Sequence, residues 1–62
     1  MTQQQEHAVN QTANELATTH TRAIVTRPDT QGTITVGGLD TDNNIRELAF
    51  VDVNGNVSRH DA

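Results

Sequence analysis

Side chains that carry oxygen alternate in two short segments of the chain, and metal binding is the chemistry this alternation could support. Asp40, Asp42 and Asn44 occupy every second position, which is how a calcium-binding loop begins. Ile45 stands where such a loop has its glycine, and Val51 stands where it has its bidentate glutamate. We therefore expect a solvated turn without a metal, and we keep these three residues only as candidate ligands.

The second segment, which begins at Asp52, is better explained as a structural turn. Asp52 suits the first position of a type I turn, Asn54 the third, and Gly55 the left-handed position that follows. This three-residue loop pairs Val51 with Val57, whereas a two-residue loop would shift the pairing by one residue. Residue preference and apolar matching both favour the three-residue loop with a G1 bulge.

Nucleophile and base side chains are few and badly spaced for catalysis. Ser58 and His60 share one side of a predicted strand, but their backbones lie about 6.5 Å apart and no glycine elbow presents the serine. His7 and His20 are not at paired spacing for a metal. We expect a protein that is not an enzyme and has no cofactor.

Residues 1–20 are polar and carry a single apolar stripe at helical spacing. The stripe consists of Val9, Ala13, Leu16 and Ala17. Thr2 and Gln5 fit a capping box at the start of a helix. Since the stripe has only two large side chains, an isolated helix would be marginal. The segment is either a helix docked on a sheet or an arm that orders on binding, and we expect the docked helix.

Residues 21–62 predict an antiparallel β-sheet module. Strands are expected near 21–27, 32–36, 45–52 and 56–60, with Asp61–Ala62 as a frayed end. The predicted fold is therefore α+β, an N-terminal helix or arm followed by a four-stranded antiparallel β-meander made of two hairpins.

The first hairpin is predicted to close through Pro28–Gln31, a four-residue loop with proline at a favourable turn position. This loop places Val25 opposite Ile34, and those two share a face with Ala23 and Val36. Gly37 and Gly38, which come next, are expected to end the strand.

A chain of 62 residues without cysteine has no disulfide to compensate for a small core, so a neighbouring protein chain is the expected source of added stability. Leu48 and Phe50 lie on the side of their strand opposite Val51, which indicates a strand covered on both sides. We predict an interface that includes Ile24, Ile34, Leu48 and Phe50.

The composition narrows the class of function. The chain contains no lysine, is rich in threonine and carries a net charge of −4. It shows no secretion signal and no apolar run long enough for a membrane span, so a cytoplasmic or virion location is expected. We expect an acidic, halophile-like assembly subunit whose partner is itself or a larger assembly, most concretely an accessory structural protein of a virion. A salt- or calcium-stabilised binding module is an alternative.

Gly32-Thr-Ile-Thr-Val36, followed by Ile45-Arg-Glu-Leu48, resembles the swapped-hairpin DNA-binding family related to AbrB. The resemblance covers under a third of the chain, and Gly37 replaces the proline of the family pattern. It implies a dimeric nucleic-acid-binding regulator, whose basic side chains would be Arg22, Arg27, Arg46 and Arg59. Because net negative charge repels phosphate, nucleic acid is not the partner we expect.

Overall fold

The computed structural model describes residues 1–61, which form one helix on one face of a four-stranded antiparallel sheet. The elements are α1 (Gln3–Thr19), β1 (Arg22–Val25), β2 (Ile34–Leu39), β3 (Ile45–Val51) and β4 (Val57–Asp61). The strands pair in chain order, which confirms the α+β class and the meander. Asp61 belongs to β4 instead of a frayed end, and Ala62 lies outside the described residues. No helix within residues 1–61 has the length and apolar character needed to cross a membrane.

Helix α1 begins as the sequence predicts, but its buried face is rotated relative to the predicted stripe. The Thr2 hydroxyl accepts a hydrogen bond from the Gln5 amide at 3.1 Å, which is half of a capping box. The buried positions are Gln5, Ala8, Val9, Thr12 and Leu16. Ala17, predicted to be on the apolar stripe, is exposed. The difference arises because Gln5 and Thr12 are polar and yet are buried.

The core lies between α1 and one face of the sheet. Its buried members are Ala8, Val9, Leu16, Ile34, Val36, Ala49 and Val51. The strand members alternate with residues that point to the other face, as expected for a sheet covered on one side. Leu16, Val36, Ala49 and Val51 are fully buried. The helix therefore provides the cover for this face of the sheet.

The first hairpin differs in register from the prediction. Val25 pairs with Val36 instead of Ile34, a shift of two residues along β2. Since the shift is even, Val25 and Val36 remain on the face that was predicted. The cause is the loop, because the turn runs from Asp29 to Gly32 instead of over Pro28–Gln31, and the Asp29 amide donates to the Thr33 carbonyl at 3.0 Å.

Gly37 and Gly38 lie inside β2 and do not end it. A Cβ atom at Gly38 would lie 2.5 Å from Cδ2 of His20, and one at Gly37 would lie 3.3 Å from Cγ1 of Ile24. The glycines therefore let neighbouring side chains lie directly on the strand, which is a packing role for glycine in a sheet. The sequence pattern suggested a strand break because these contacts come from distant parts of the chain.

The β3–β4 connection confirms the predicted turn. Val51 pairs with Val57, and the Gly55 amide donates to the Asp52 carbonyl at 3.0 Å. Gly55 has a φ of +85°, the left-handed conformation that the G1 bulge requires. A Cβ there would also lie 2.8 Å from the carbonyl oxygen of Gln4. The turn is therefore both a hairpin closure and a surface against which the start of α1 packs.

All three loops of the sheet use the same local arrangement, centred on Asp29, Asp40 and Asp52. In each, one carboxylate oxygen accepts from the amides two and four residues later, at 2.8–3.0 Å. The residue three positions after the aspartate has a positive φ; these residues are Gly32, Asn43 and Gly55. The pattern Asp-x-x-(Gly/Asn) is visible in the sequence at all three positions, although only the turn at Asp52 was predicted from it.

Candidate interaction surface

The face of the sheet opposite α1 carries a patch of large side chains that no other element of residues 1–61 covers. We define the open-face patch as Ile24, Leu48, Phe50 and His60. Ile24 on β1 and Leu48 on β3 both pair with Gly37, and Leu48 also pairs with His60 on β4. Because Gly37 has no side chain, the apolar row crosses the sheet without a polar interruption. Ile24 remains 40% exposed.

Phe50 and His60 form the second part of the open-face patch. Their ring centroids are 5.5 Å apart and the planes are tilted by 55°, a common arrangement for neighbouring aromatic rings. Nε2 of His60 also lies 3.2 Å from the Ser58 hydroxyl, closer than the strand spacing suggested. Within residues 1–61 no carboxylate contacts His60. The Ser58–His60 pair therefore lacks, within the described residues, the third group that orients a catalytic histidine.

The structure separates the four predicted interface residues into two groups. Ile24, Leu48 and Phe50 lie together on the open face, in the arrangement just described. Ile34 lies on the other face, packed in the core beneath α1 and only 1% exposed. It pairs with Val51, whose side chain is also in the core. Ile34 is therefore a core residue and does not belong to the candidate surface.

A charged cluster joins the C-terminal end of α1 to β3 and β4. Glu47 contacts Nε2 of His20 at 3.1 Å and accepts from the Arg59 guanidinium, which also reaches Glu15 at 3.3 Å. These hydrogen bonds lower the pKa of the Glu47 carboxyl, with Arg59 the larger cause and His20 the second. The pKa of the Arg59 guanidinium is raised, mainly by its hydrogen bond to Glu47. The cluster fixes the helix end on the sheet.

Asp40, Asp42 and Asn44, the candidate ligands for a metal, are brought together only as parts of a turn. One carboxylate oxygen of Asp40 accepts from the amides of Asp42 and Asn44, and the other accepts from Arg46 at 2.7 Å. The Asn44 amide is the first cause that lowers the pKa of Asp40, and Arg46 is the second. Residues 1–61 contain no group of three histidine or acidic side chains placed to hold a metal ion.

In the structural turn at Asp52, Asn54 and Gly55, the aspartate carboxylate likewise accepts hydrogen bonds from its own loop. The Asp52 carboxylate accepts from the amides of Asn54 and Asn56, both at 2.9 Å, and from the Asn56 side chain at 3.3 Å. The pKa of Asp52 is lowered, and the Asn56 amide is the largest cause. The oxygen ligands that looked available in the sequence are therefore used to close the hairpin.

Three of the four arginines are hydrogen-bonded to side chains of this same chain. Arg46 pairs with Asp40, Arg59 pairs with Glu47 and Glu15, and Arg22 donates to the side chain of Asn43. Arg46 and Glu47 also lie on β3, where the AbrB-like pattern implies a helix. The structure therefore has a strand where the resemblance implies a helix.

A shallow cleft of about 310 Å³ lies between the start of α1 and two loops of the sheet. Its lining residues are Met1, Thr2, Gln5, Pro28, Gly32 and Val53. The Gln5 amide group is already hydrogen-bonded to the carbonyl oxygens of Gly32 and Val51, at 2.6 and 3.2 Å. The cleft thus lies over a structural clamp and offers no convergent set of free polar groups.

Comparisons with family models, with curated proteins and with solved structures found no match to this chain.

Proposed function

We propose that this chain is a non-enzymatic interaction subunit that binds another protein through its open-face patch. One observation carries the proposal: α1 covers one face of the sheet, while the other presents a continuous row of large apolar side chains. Ile24, Leu48 and Phe50 would lose most of their remaining contact with water if a second protein covered them. Burial of apolar surface of this kind supplies roughly 25 cal/mol per Å² before the costs of association.

The residues beside the patch favour a protein partner over a small ligand. The patch is part of a sheet surface and has no wall that would enclose a small molecule, whereas most ligand sites are concave. His60, the polar member of the patch, and the neighbouring Ser58 hydroxyl can form hydrogen bonds to a partner backbone. An apolar centre with a polar border is the usual arrangement of a protein interface.

Site-specific photocrosslinking in the source cells tests the proposal. A benzophenone side chain at Ile24 is expected to capture a defined protein, and the same probe at Gln11, on the exposed side of α1, is not. The captured protein is then purified and its binding measured with the natural chain and with Phe50→Thr. We expect Phe50→Thr to keep its fold and bind at least roughly tenfold more weakly, as for loss of a central aromatic contact. Equal capture at both positions, or unchanged binding by Phe50→Thr, would refute the proposal.

Among interaction subunits, we propose an accessory structural protein of a virion as the specific type. The supporting features are the short chain, the absence of lysine and the high threonine content. Mass spectrometry of particles purified from the source organism tests this narrower proposal. The chain is expected in a fixed ratio to the main particle protein, and its absence from purified particles would exclude the assignment.

A further inference from the structure

The outer edge of β4 is an unpaired strand edge with few of the features that usually block strand addition. All five residues of β4 are exposed, and the strand contains neither proline nor lysine. Helix α1 packs over β1, β2 and β3 and also reaches β4 through the Glu15–Arg59 ion pair, while within residues 1–61 no strand pairs with the outer edge of β4. Natural proteins usually protect such an edge by a bulge, a proline, charged side chains or a covering segment, and of these β4 itself has the charged side chains of Arg59 and Asp61.

The hydrogen-bond pattern identifies which backbone groups of β4 are free. The Asp52 amide donates to the Asn56 carbonyl, and hydrogen-bonded pairs alternate along an antiparallel ladder. Ser58 and His60, at the next alternate positions, therefore direct their backbone groups toward β3. The backbone groups of Val57, Arg59 and Asp61 point to the open edge.

The charges on β4 are unbalanced in a way that a second strand can correct. Asp61 pairs directly with Glu47 on β3, and like charges in opposed positions are unfavourable. Arg59 lies on the same side of the sheet, where its guanidinium contacts Glu47 and Glu15. Asp61 makes no ion pair within residues 1–61 and lies at the free edge of the sheet.

We propose that a second copy of this chain pairs with the open edge of β4, antiparallel and centred on His60, so that Arg59 of each copy lies opposite Asp61 of the other. Three other registers also align the free backbone groups, and the one centred on Asp61 sets two carboxylates against each other. One centres on Arg59 and sets two guanidinium groups against each other, and one centres on Ser58 and sets Arg59 against Val57. Only the register centred on His60 pairs opposite charges.

This arrangement makes one continuous eight-stranded sheet with both helices on the same side. The two His60 rings meet on the open face, so the open-face patches of the two copies become neighbours across the seam. The inference does not depend on the proposed function, because it rests on the free backbone groups and the charges of β4 and not on the apolar side chains of Ile24, Leu48 and Phe50. The seam is short, so the dimer forms only at high concentration, as expected for interfaces far below about 1,000 Å².

Single-cysteine variants test the register, because the chain contains no natural cysteine. In the proposed dimer the two residues at position 60 form a pair without backbone hydrogen bonds, with Cα atoms about 4.5 Å apart, a distance that a disulfide can span. His60→Cys is expected to form a disulfide-linked dimer under mild oxidation. Ser58→Cys is the matched control, since its Cα atoms would be roughly 14 Å apart. Equal or faster cross-linking of Ser58→Cys would overturn the register.

Sedimentation equilibrium at concentrations up to roughly millimolar tests the dimer itself, since weak interfaces associate only in that range. We expect reversible dimers for the natural chain and a dissociation constant at least roughly tenfold higher for Asp61→Lys, which meets Arg59 of the second copy. Asp61→Lys keeps the fold, because the new ammonium group lies opposite Glu47. Asp42→Lys alters net charge equally in an exposed loop and is expected to dimerise like the natural chain. A monomer throughout the range, or equal effects of the two substitutions, would overturn the proposal.

Discussion

Replacement of Gln5 by methionine is expected to remove the clamp that holds α1 on the sheet. The Gln5 side chain is 1% exposed and its amide nitrogen donates to the carbonyl oxygens of Gly32 and Val51. These two carbonyls belong to different hairpins, so one side chain ties the helix to both. Methionine has similar length and helix propensity but cannot donate, so the exchange isolates the hydrogen bonds.

The magnitude follows from the two lost hydrogen bonds and the acceptors left behind. Each bond contributes roughly 0.5–1.5 kcal/mol, and a buried acceptor without a partner costs about 1–3 kcal/mol. We expect Gln5→Met to lower the free energy of unfolding by about 2–4 kcal/mol. The whole domain is expected to have only about 3–9 kcal/mol. The substitution should therefore remove a large fraction of the stability of the domain and lower its urea midpoint accordingly.

Urea denaturation followed by circular dichroism measures this change. Gln11→Met is the control, because Gln11 is exposed on the same helix and the substitution should stay within about 0.5 kcal/mol of the natural chain. If Gln5→Met also falls within about 0.5 kcal/mol, the two hydrogen bonds do not hold the helix and our account of its docking is wrong.

Three further predictions use the contrast between the two faces and the charged loops. Ile34→Ala should lower the free energy of unfolding by about 2–5 kcal/mol, because Ile34 is fully buried. Ile24→Ala should lower it by under about 1 kcal/mol, because Ile24 is partly exposed. Equal values from urea titrations would contradict the assignment of Ile34 to the core. Gly38→Ala should lower the free energy of unfolding by about 1–3 kcal/mol and displace the His20 ring, which would shift its imidazole NMR signals. Gly37→Ala should leave those signals unchanged. Unshifted His20 signals in Gly38→Ala would refute the close contact between His20 and Gly38. The carboxyls of Asp40, Glu47 and Asp52 have lower pKa values in the folded than in the unfolded protein. The stabilisation that they provide is therefore present above about pH 4–5 and is lost as the pH falls through the folded pKa values. A urea midpoint at about pH 3 equal to that at pH 7 would contradict this prediction.

The sequence was sufficient for the parts of the fold that local chemistry decides. Gly55 and Asp52 defined the β3–β4 turn, and the register of Val51 with Val57 followed from it. Thr2 defined the start of α1. In each case the interacting groups lie within a few residues of one another, so preference for a turn or a cap was a reliable guide.

The errors arose where distant segments meet. Gly38 appeared to end a strand because the sequence does not show that His20 lies against it. Ile34 appeared available for an interface because its face of the sheet is decided by where the helix packs. The burial of Gln5 was not foreseen, since a polar side chain is buried only when its partners are in place, and these partners are backbone carbonyls of a distant loop and of the end of β3.

The Gln5 clamp also has a consequence for the order in which the chain folds. The three loops close through contacts within five residues, so each hairpin can form early without a long conformational search. The acceptors for Gln5 are positioned only when β1 has met β2 and β3 has met its neighbours. We therefore expect the Gln5 clamp to form late in folding, after the hairpins that position its two acceptors.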